Sequence, residues 1–156
     1  MEHYYLLKLI HIIAAVVTMG TGAGIAFFML MAVRTQDKKI IRHTSRIVIL
    51  ADWIFTAPAV VIQLFTGLLL SELLQISWQS AWFITCISLF LFVGCCWIPV
   101  ILIQYQLHKL SCLHDFRGDQ SSFKQLFKYW IFLGVPAFIA MIILFYLMIF
   151  KPLPLH

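Results

Sequence analysis

Long apolar runs separated by short polar segments dominate the sequence. Four of these runs reach the length of about 20 residues that a helix needs to cross a bilayer, at approximately residues 5–33, 47–70, 80–107 and 129–150. The first run is longer than the apolar core of a cleavable leader, so we interpret it as a span as well. The pattern predicts an all-α integral membrane protein, a four-helix transmembrane bundle in up-down-up-down order, with a single domain over residues 1–156.

The composition agrees with this class of protein. Hydrophobic residues make up 63% of the chain and charged residues only 11%, whereas a soluble domain has about one quarter charged residues. The net charge of +5 comes from basic residues between the apolar runs, which argues against a nucleic-acid partner. The cysteines show no zinc-binding spacing and no disulfide framework.

Lysine and arginine are unevenly distributed between the predicted loops. The basic segment from Arg34 to Arg46 has five of them and the polar segment 109–128 has four, but the connection between the second and third runs has none. The positive-inside rule then places both basic loops in the cytoplasm. We therefore expect the N and C termini on the opposite, periplasmic side.

The second apolar run carries a polar face. Asp52, Thr56, Gln63 and Thr66 fall on one side of a helix at this spacing, and Pro58 predicts a kink between them. Lipid cannot satisfy such groups, so the face must point towards protein or water. We expect it to form either the wall of a buried site or a polar packing seam.

Asp52 is the most costly residue on this face, because an ionised carboxylate in the membrane costs roughly 2.5–3.5 kcal/mol on insertion scales. We expect it at the cytoplasmic level, in a polar membrane cluster with Arg34, Gln104 and Tyr129. An ion pair with Arg34 or Lys128 is the simpler interpretation, since Asp52 follows the basic loop closely. A proton relay or a cation site is the functional alternative.

The first run has a second candidate face, formed by His11, Thr18 and Gly22 at helical spacing. If the first two helices are antiparallel neighbours, His11 and Thr18 lie at the depth of Gln63 and Thr66. His11 can form a hydrogen bond to a neighbouring helix, ligate haem iron, contact a porphyrin or bind copper. No second histidine is expected inside the membrane to complete a bis-histidine haem site.

Four segments resemble a known family: LKLIHIIAAVVTMGTGAGIAFFML, ADWIFTAPAVVIQLFTG, CWIPVILIQ and LGVPAFIAMIILFYLMIFKP. Together they resemble a bacterial family of four-helix membrane proteins catalogued as a domain of unknown function, DUF2269. The resemblance covers nearly the whole chain. It implies a multi-pass protein of the bacterial cytoplasmic (inner) membrane, and it implies no activity.

The opening LKLIHII, with Lys8 three residues before His11, is more distantly similar to the first helix of two characterised groups. One is the HemJ-type protoporphyrinogen oxidases, and the other is the CopD-type copper-resistance membrane proteins. The HemJ resemblance implies that His11 ligates a b-type haem.

These observations lead first to the hypothesis of a haem- or porphyrin-binding redox protein with His11 as the ligand. In this hypothesis Thr18 and Gly22 provide a flat slot for the ring. Gln63 and Thr66 form hydrogen bonds to propionates or to a substrate.

Two further hypotheses belong to other functional classes. A non-enzymatic accessory or assembly subunit would use Gly20 and Gly24, a GxxxG motif, to contact a partner helix or a second copy of the chain. A copper-handling membrane protein would use His11 or the amino-terminal Met1-Glu2-His3 sequence. The sequence leaves these alternatives open, including whether the protein is an enzyme.

Overall fold

The structure is a computed structural model that describes residues 2–112 and 116–151, and of residues 116–120 it describes the backbone alone. Within these residues the protein is entirely helical. Four helices are long and apolar enough to cross a membrane. They are α1 (Glu2–Arg34), α2 (Lys38–Leu73), α3 (Ala81–Cys112) and α4 (Phe116–Phe150). The predicted all-α, four-helix membrane class is confirmed.

Met1 lies outside the described residues. The copper chelate at Met1-Glu2-His3 therefore stays a prediction.

The basic segment from Arg34 to Arg46 is not a loop, as the sequence suggested. Only a short turn follows α1, and α2 begins at Lys38. Asp37 caps this helix, because its side chain accepts a hydrogen bond from the Lys39 amide at 2.7 Å. The segment is amphipathic: Ile41 and Ser45 are buried while the basic side chains point outwards. Packing of the buried stripe explains why helix extends beyond the apolar run.

The polar segment 109–128 is also mostly helical. The third helix continues to Cys112 and the fourth begins at Phe116, so both extend beyond the predicted spans. Leu107, Ser111 and Phe123 are buried at this end of the bundle. Apolar contacts again extend the helices past the membrane-length run.

α2 contains a π turn at Asp52–Thr56, where the Ala57 amide donates to the Asp52 carbonyl. Pro58 follows directly. A proline cannot donate a backbone hydrogen bond, and its ring presses on the carbonyl of the preceding turn. A widened turn accommodates both effects. The irregularity predicted at Pro58 therefore lies on its N-terminal side, and it carries Asp52 and Thr56.

The four helices form two hairpins, α1 with α2 and α3 with α4. We call the end where α1 begins and α4 ends the terminal end, and the opposite one the basic end. At the basic end the hairpins pack together around a shared hydrophobic core. Its buried members are Ile25, Met29, Ala32, Ile41, Val48, Leu107, Phe123 and Trp130.

Towards the terminal end the hairpins separate. The Ala57–Leu73 part of α2 packs on α1 but has little contact with α3, and α1 has few contacts with α4. A second hydrophobic cluster, around Trp82 and Leu147, lies within the α3–α4 hairpin. The Trp82 indole donates to the Leu147 carbonyl at 2.8 Å. Trp82 is buried between α3 and α4.

Candidate functional site

A cavity of about 770 Å³ lies between the two hairpins, and all four helices line it. Most of the lining is apolar, but polar side chains occupy two levels. The His11 level lies towards the terminal end, and the Asp52 level lies deeper towards the basic end. Asp52 and Gln63 are separated by eleven helical residues, so the levels are about 16 Å apart.

At the His11 level, the imidazole joins α1 to α2 through both ring nitrogens. Nδ1 lies 2.8 Å from the Thr66 hydroxyl, and Nε2 lies 3.0 Å from the Gln63 amide nitrogen. The Thr66 hydroxyl donates its proton to the Ile62 carbonyl at 2.6 Å, so it can only accept from the ring. Nδ1 therefore carries the proton, and Nε2 accepts from Gln63. His11 is a neutral side chain with both nitrogens satisfied.

Gly67 makes this arrangement possible. A Cβ atom placed on Gly67 would lie 3.2 Å from His11 Cε1, closer than ordinary van der Waals contact. The ring therefore lies directly against the α2 backbone. We call His11, Gln63, Thr66 and Gly67 the histidine clamp.

Thr18 does not join the clamp, although the sequence placed it in the same cluster. Its hydroxyl donates to the Ala14 carbonyl of its own helix at 2.9 Å. Gly22 lines the cavity, and a Cβ there would meet nothing within 4 Å. The same holds for Gly94 on α3 and Gly134 on α4. Glycines from three helices therefore widen the cavity.

The clamp geometry does not suit His11 as a metal ligand. Iron or copper binding at Nε2 would have to displace the Gln63 amide, and Nδ1 is occupied by Thr66. Over the described part of the chain, no three His, Cys, Asp or Glu side chains are grouped to hold a metal ion. His11 ligation of haem stays a prediction that this arrangement does not favour.

At the Asp52 level, the π turn places two polar side chains inside the bundle. Asp52 and Thr56 are 3% and 5% exposed, while the intervening Trp53, Ile54 and Phe55 all face outwards. The Trp97 indole of α3 lies 3.3 Å from Asp52 Oδ1 and donates to it. This contact connects the two hairpins at the bottom of the cavity.

Most of the remaining polar atoms at this level have no well-formed hydrogen bond within the described structure. These atoms are Asp52 Oδ2, Thr56 Oγ1, both amide atoms of Gln104, and Trp130 Nε1. Thr56 and Gln104 approach the Asp52 carboxylate, but neither reaches hydrogen-bonding geometry. Gln104 is only 1% exposed. Such burial without hydrogen bonds is costly and unusual for native proteins.

The structure does not assemble the predicted cluster of Asp52 with Arg34, Gln104 and Tyr129. Gln104 does lie beside the carboxylate. Arg34 and Tyr129 have exposed side chains, as does Lys128. The hydrogen-bond donor that reaches Asp52 is the Trp97 indole instead. The physical reason is that the π turn directs the carboxylate into the bundle, away from the basic surface.

Trp97 and Trp130 are the site residues that the sequence reading missed. Both lie in apolar runs, where an indole is an ordinary packing residue. The available signal was depth: Trp97 lies about two helical turns before Gln104 on α3. Only the packing of the hairpins shows that Trp97 reaches Asp52 and that Trp130 lines the same cavity.

The cavity differs in charge between its two ends. Among its described lining residues, the charged side chains are Lys8, Asp52 and Lys151. Lys8 lies near the His11 level, and Lys151 lies over the Trp82 ring, at 5.7 Å from its centroid. The terminal end is therefore basic, and the deep end holds the carboxylate.

Comparison with known proteins supports the class of protein and adds no activity. The model of a family described as predicted integral membrane protein, DUF2269, matches residues 5–152. No curated protein and no solved structure matches the chain. The match covers nearly the whole sequence, and the chain belongs to the DUF2269 family of predicted integral membrane proteins.

Proposed function

We propose that this protein binds an amphipathic small molecule inside the membrane, in the cavity between its two helical hairpins. The ligand's apolar body occupies the upper cavity, and a polar group reaches the Asp52 level. The proposal rests chiefly on one observation. Five residues with unsatisfied buried polar atoms, Asp52, Thr56, Gln63, Gln104 and Trp130, all line the same cavity.

The dimensions and chemistry of the cavity support a ligand of this kind. Small-molecule sites are mostly apolar pockets of roughly 300–1,000 Å³ with a few convergent polar groups. The cavity has this size and this distribution. Lipid tails filling it would leave the polar atoms at the Asp52 level unsatisfied. A ligand with a polar group would satisfy them.

We place the protein in the bacterial cytoplasmic membrane with both termini in the periplasm. The basic residues support this orientation, since they gather at the end opposite the termini. The cavity then lies towards the periplasmic side, with Asp52 below it.

A porphyrin remains one member of the proposed ligand class, because it combines an apolar ring with polar groups. The wide, glycine-lined cavity would accommodate a flat ring beside Gly22. Ligation of its iron by His11 is not part of the proposal, because Gln63 already donates to Nε2.

Photocrosslinking tests whether the cavity binds ligands. The probe is hexadecanol carrying a diazirine, added to the purified protein in lipid nanodiscs. We expect labelling at cavity residues such as Phe90 and Met141, in addition to the lipid-facing Phe132 and Ile149. Labels confined to the lipid-facing residues would contradict the proposal.

A cavity-filling variant sharpens this experiment. Gly94→Leu adds a side chain where the wild type has open space. A Cβ atom at Gly94 meets nothing within 4 Å, so the leucine should fill part of the cavity without a clash at Cβ. Labelling of Phe90 and Met141 should decrease, with labelling of Phe132 unchanged. Gly20→Leu is the matched control: Gly20 is exposed, lies outside the cavity lining, and has no atom near its Cβ direction.

The accessory-subunit hypothesis is a second candidate function, favoured by the position of Gly20. This glycine faces away from the other helices, so its surface is open to a partner helix or a second copy. Under this hypothesis Gly20→Leu, a control above, would abolish a complex that crosslinking recovers from cells. Recovery of the same complex from this variant would remove the support for it.

A further inference from the structure

We propose that the Asp52 level recognises a primary ammonium group, so that the ligand is an apolar molecule with a single amine head. This inference rests on the proposed function, because it names the chemical class of ligand for the same cavity. It is carried by the carboxylate, the oxygens beside it, and the absence of a nearby cationic side chain in the cavity lining.

The carboxylate has one free oxygen deep in the protein. Trp97 satisfies Oδ1, while Oδ2 has no hydrogen bond from any residue that the structure describes. A buried carboxylate requires a counter-charge or several hydrogen-bond donors. The only cationic residues among the described lining positions are Lys8 and Lys151, at the opposite end of the cavity. An ionised Asp52 would therefore take its counter-charge from a cationic ligand.

The number and type of free oxygens fit a primary ammonium. Asp52 Oδ2, Thr56 Oγ1 and Gln104 Oε1 are three unsatisfied acceptors, and both Thr56 and Gln104 approach the carboxylate. An R–NH₃⁺ group has three N–H donors, as the lysine side chain does. Each donor would have an acceptor from a different side chain.

The aromatic surroundings add to this preference. Trp97 and Trp130 both line the cavity, and an indole face in contact with the ammonium would attract it. A carboxylate or phosphate head would instead face the Asp52 charge. Such a head would be better accommodated near Lys8 and Lys151 at the terminal end. The charge difference along the cavity therefore also sets the orientation of the ligand.

The size of the site argues for an amine with an apolar body rather than a bare ion. The cavity above Asp52 has a volume of about 770 Å³ and a mostly apolar lining. A hydrated ion would leave that apolar volume unused. A long-chain or polycyclic amine would occupy it and place its ammonium at the carboxylate.

Three tail-matched photoprobes test the inference: hexadecylamine, hexadecanol and hexadecanoic acid, each with a diazirine at the same carbon. We measure the concentration of each that half-saturates labelling of Phe90 and Met141 in nanodiscs. The amine should bind tightest to the wild type. Asp52→Asn should raise the half-saturating concentration of the amine by at least about 30-fold, the effect of removing one partner of a buried charge pair. The half-saturating concentrations of the alcohol and the acid should not change.

One further variant is a control, and another replaces Asp52→Asn if that variant does not fold. Asp37→Asn removes the same charge from an exposed position and keeps a residue type that caps helices. It should therefore not change the half-saturating concentration of the amine probe. If Asp52→Asn cannot be recovered from the membrane, Gln104→Met removes one acceptor with similar volume. This variant should also weaken binding of the amine probe more than binding of the alcohol or the acid.

The outcomes separate the two proposals. Equal labelling by all three probes, unchanged in Asp52→Asn but lost in Gly94→Leu, would overturn the amine inference and leave the cavity proposal intact. Cavity labelling by none of the probes would overturn both. We expect Asp52→Asn to lose labelling by the amine probe selectively, and Asp37→Asn to keep it.

Discussion

The two polar levels of this bundle illustrate different uses of polar side chains inside a membrane protein. At the His11 level, both ring nitrogens of His11 are hydrogen-bonded, to Thr66 and to Gln63 on α2. At the Asp52 level, the carboxylate has one donor, and the amide and hydroxyl groups around it lack well-formed hydrogen bonds among the described residues. The first arrangement leaves one amide oxygen, Gln63 Oε1, without a partner among the described residues, whereas the second leaves most of its polar atoms without one.

The difference arises from how the hairpins pack. The histidine clamp lies within one hairpin, where α1 and α2 are in close contact along much of their length. The Asp52 level lies where the two hairpins begin to separate and the cavity opens. Closely packed helices can complete each other's hydrogen bonds. Diverging helices leave polar groups facing space that a ligand can occupy.

The strongest test of the clamp is Gly67→Ala. The new Cβ would lie 3.2 Å from His11 Cε1, and two hydrogen bonds prevent the ring from moving away freely. We expect a loss of roughly 1–3 kcal/mol in the free energy of unfolding, the usual cost of overpacking. Chemical unfolding in mixed micelles measures it.

Gly22→Ala is the control for that substitution, because a Cβ there meets nothing within 4 Å. Both variants receive the same gain in helix propensity, so the difference between them reports the contact with His11. In addition, Gly67→Ala should cost less in a His11→Ala background. Equal stability of the two glycine variants would mean that Gly67 does not support the clamp.

His11→Ala should have the next largest effect. It removes both interhelical hydrogen bonds and leaves Gln63 without its acceptor. Interhelical hydrogen bonds in membrane proteins contribute on average about 0.6 kcal/mol and at most about 1.7 kcal/mol each, so we expect a loss of about 1–2 kcal/mol. Amine labelling at the Asp52 level should persist. Unchanged stability together with loss of a bound chromophore would favour the haem hypothesis instead.

The sequence was sufficient to predict the class of fold and three of the four clamp residues, but it added Thr18 and missed the role of Gly67. Four apolar runs predicted four helices, and helical spacing placed His11, Gln63 and Thr66 at one depth. Hydropathy did not predict where the helices end. The reason is that amphipathic segments such as Lys38–Ala51 are stabilised by packing outside the apolar run.

The roles of the two levels could not be predicted from the sequence. Histidine is a common metal ligand, so the sequence favoured metal binding by His11. Asp52 lies near a basic segment, so the sequence favoured an ion pair there. Whether Asp52 forms an ion pair at the surface or faces the cavity depends on the π turn before Pro58 and on the contact with Trp97. Pro58 predicts an irregularity in the helix, but not that a π turn directs Asp52 inwards. The depth of an α3 tryptophan relative to α2 is not encoded in a local pattern.

The most direct test of the account is the thermal unfolding of Asp52→Asn, measured beside His11→Ala in ligand-free protein. Asparagine keeps an oxygen for the Trp97 indole and removes a carboxylate without a counter-charge. We predict that Asp52→Asn raises the unfolding midpoint, by a gain on the order of 1 kcal/mol in the free energy of unfolding, while His11→Ala lowers it. A loss of stability in Asp52→Asn as large as that in His11→Ala would show that Asp52 holds the bundle together, and it would contradict the account.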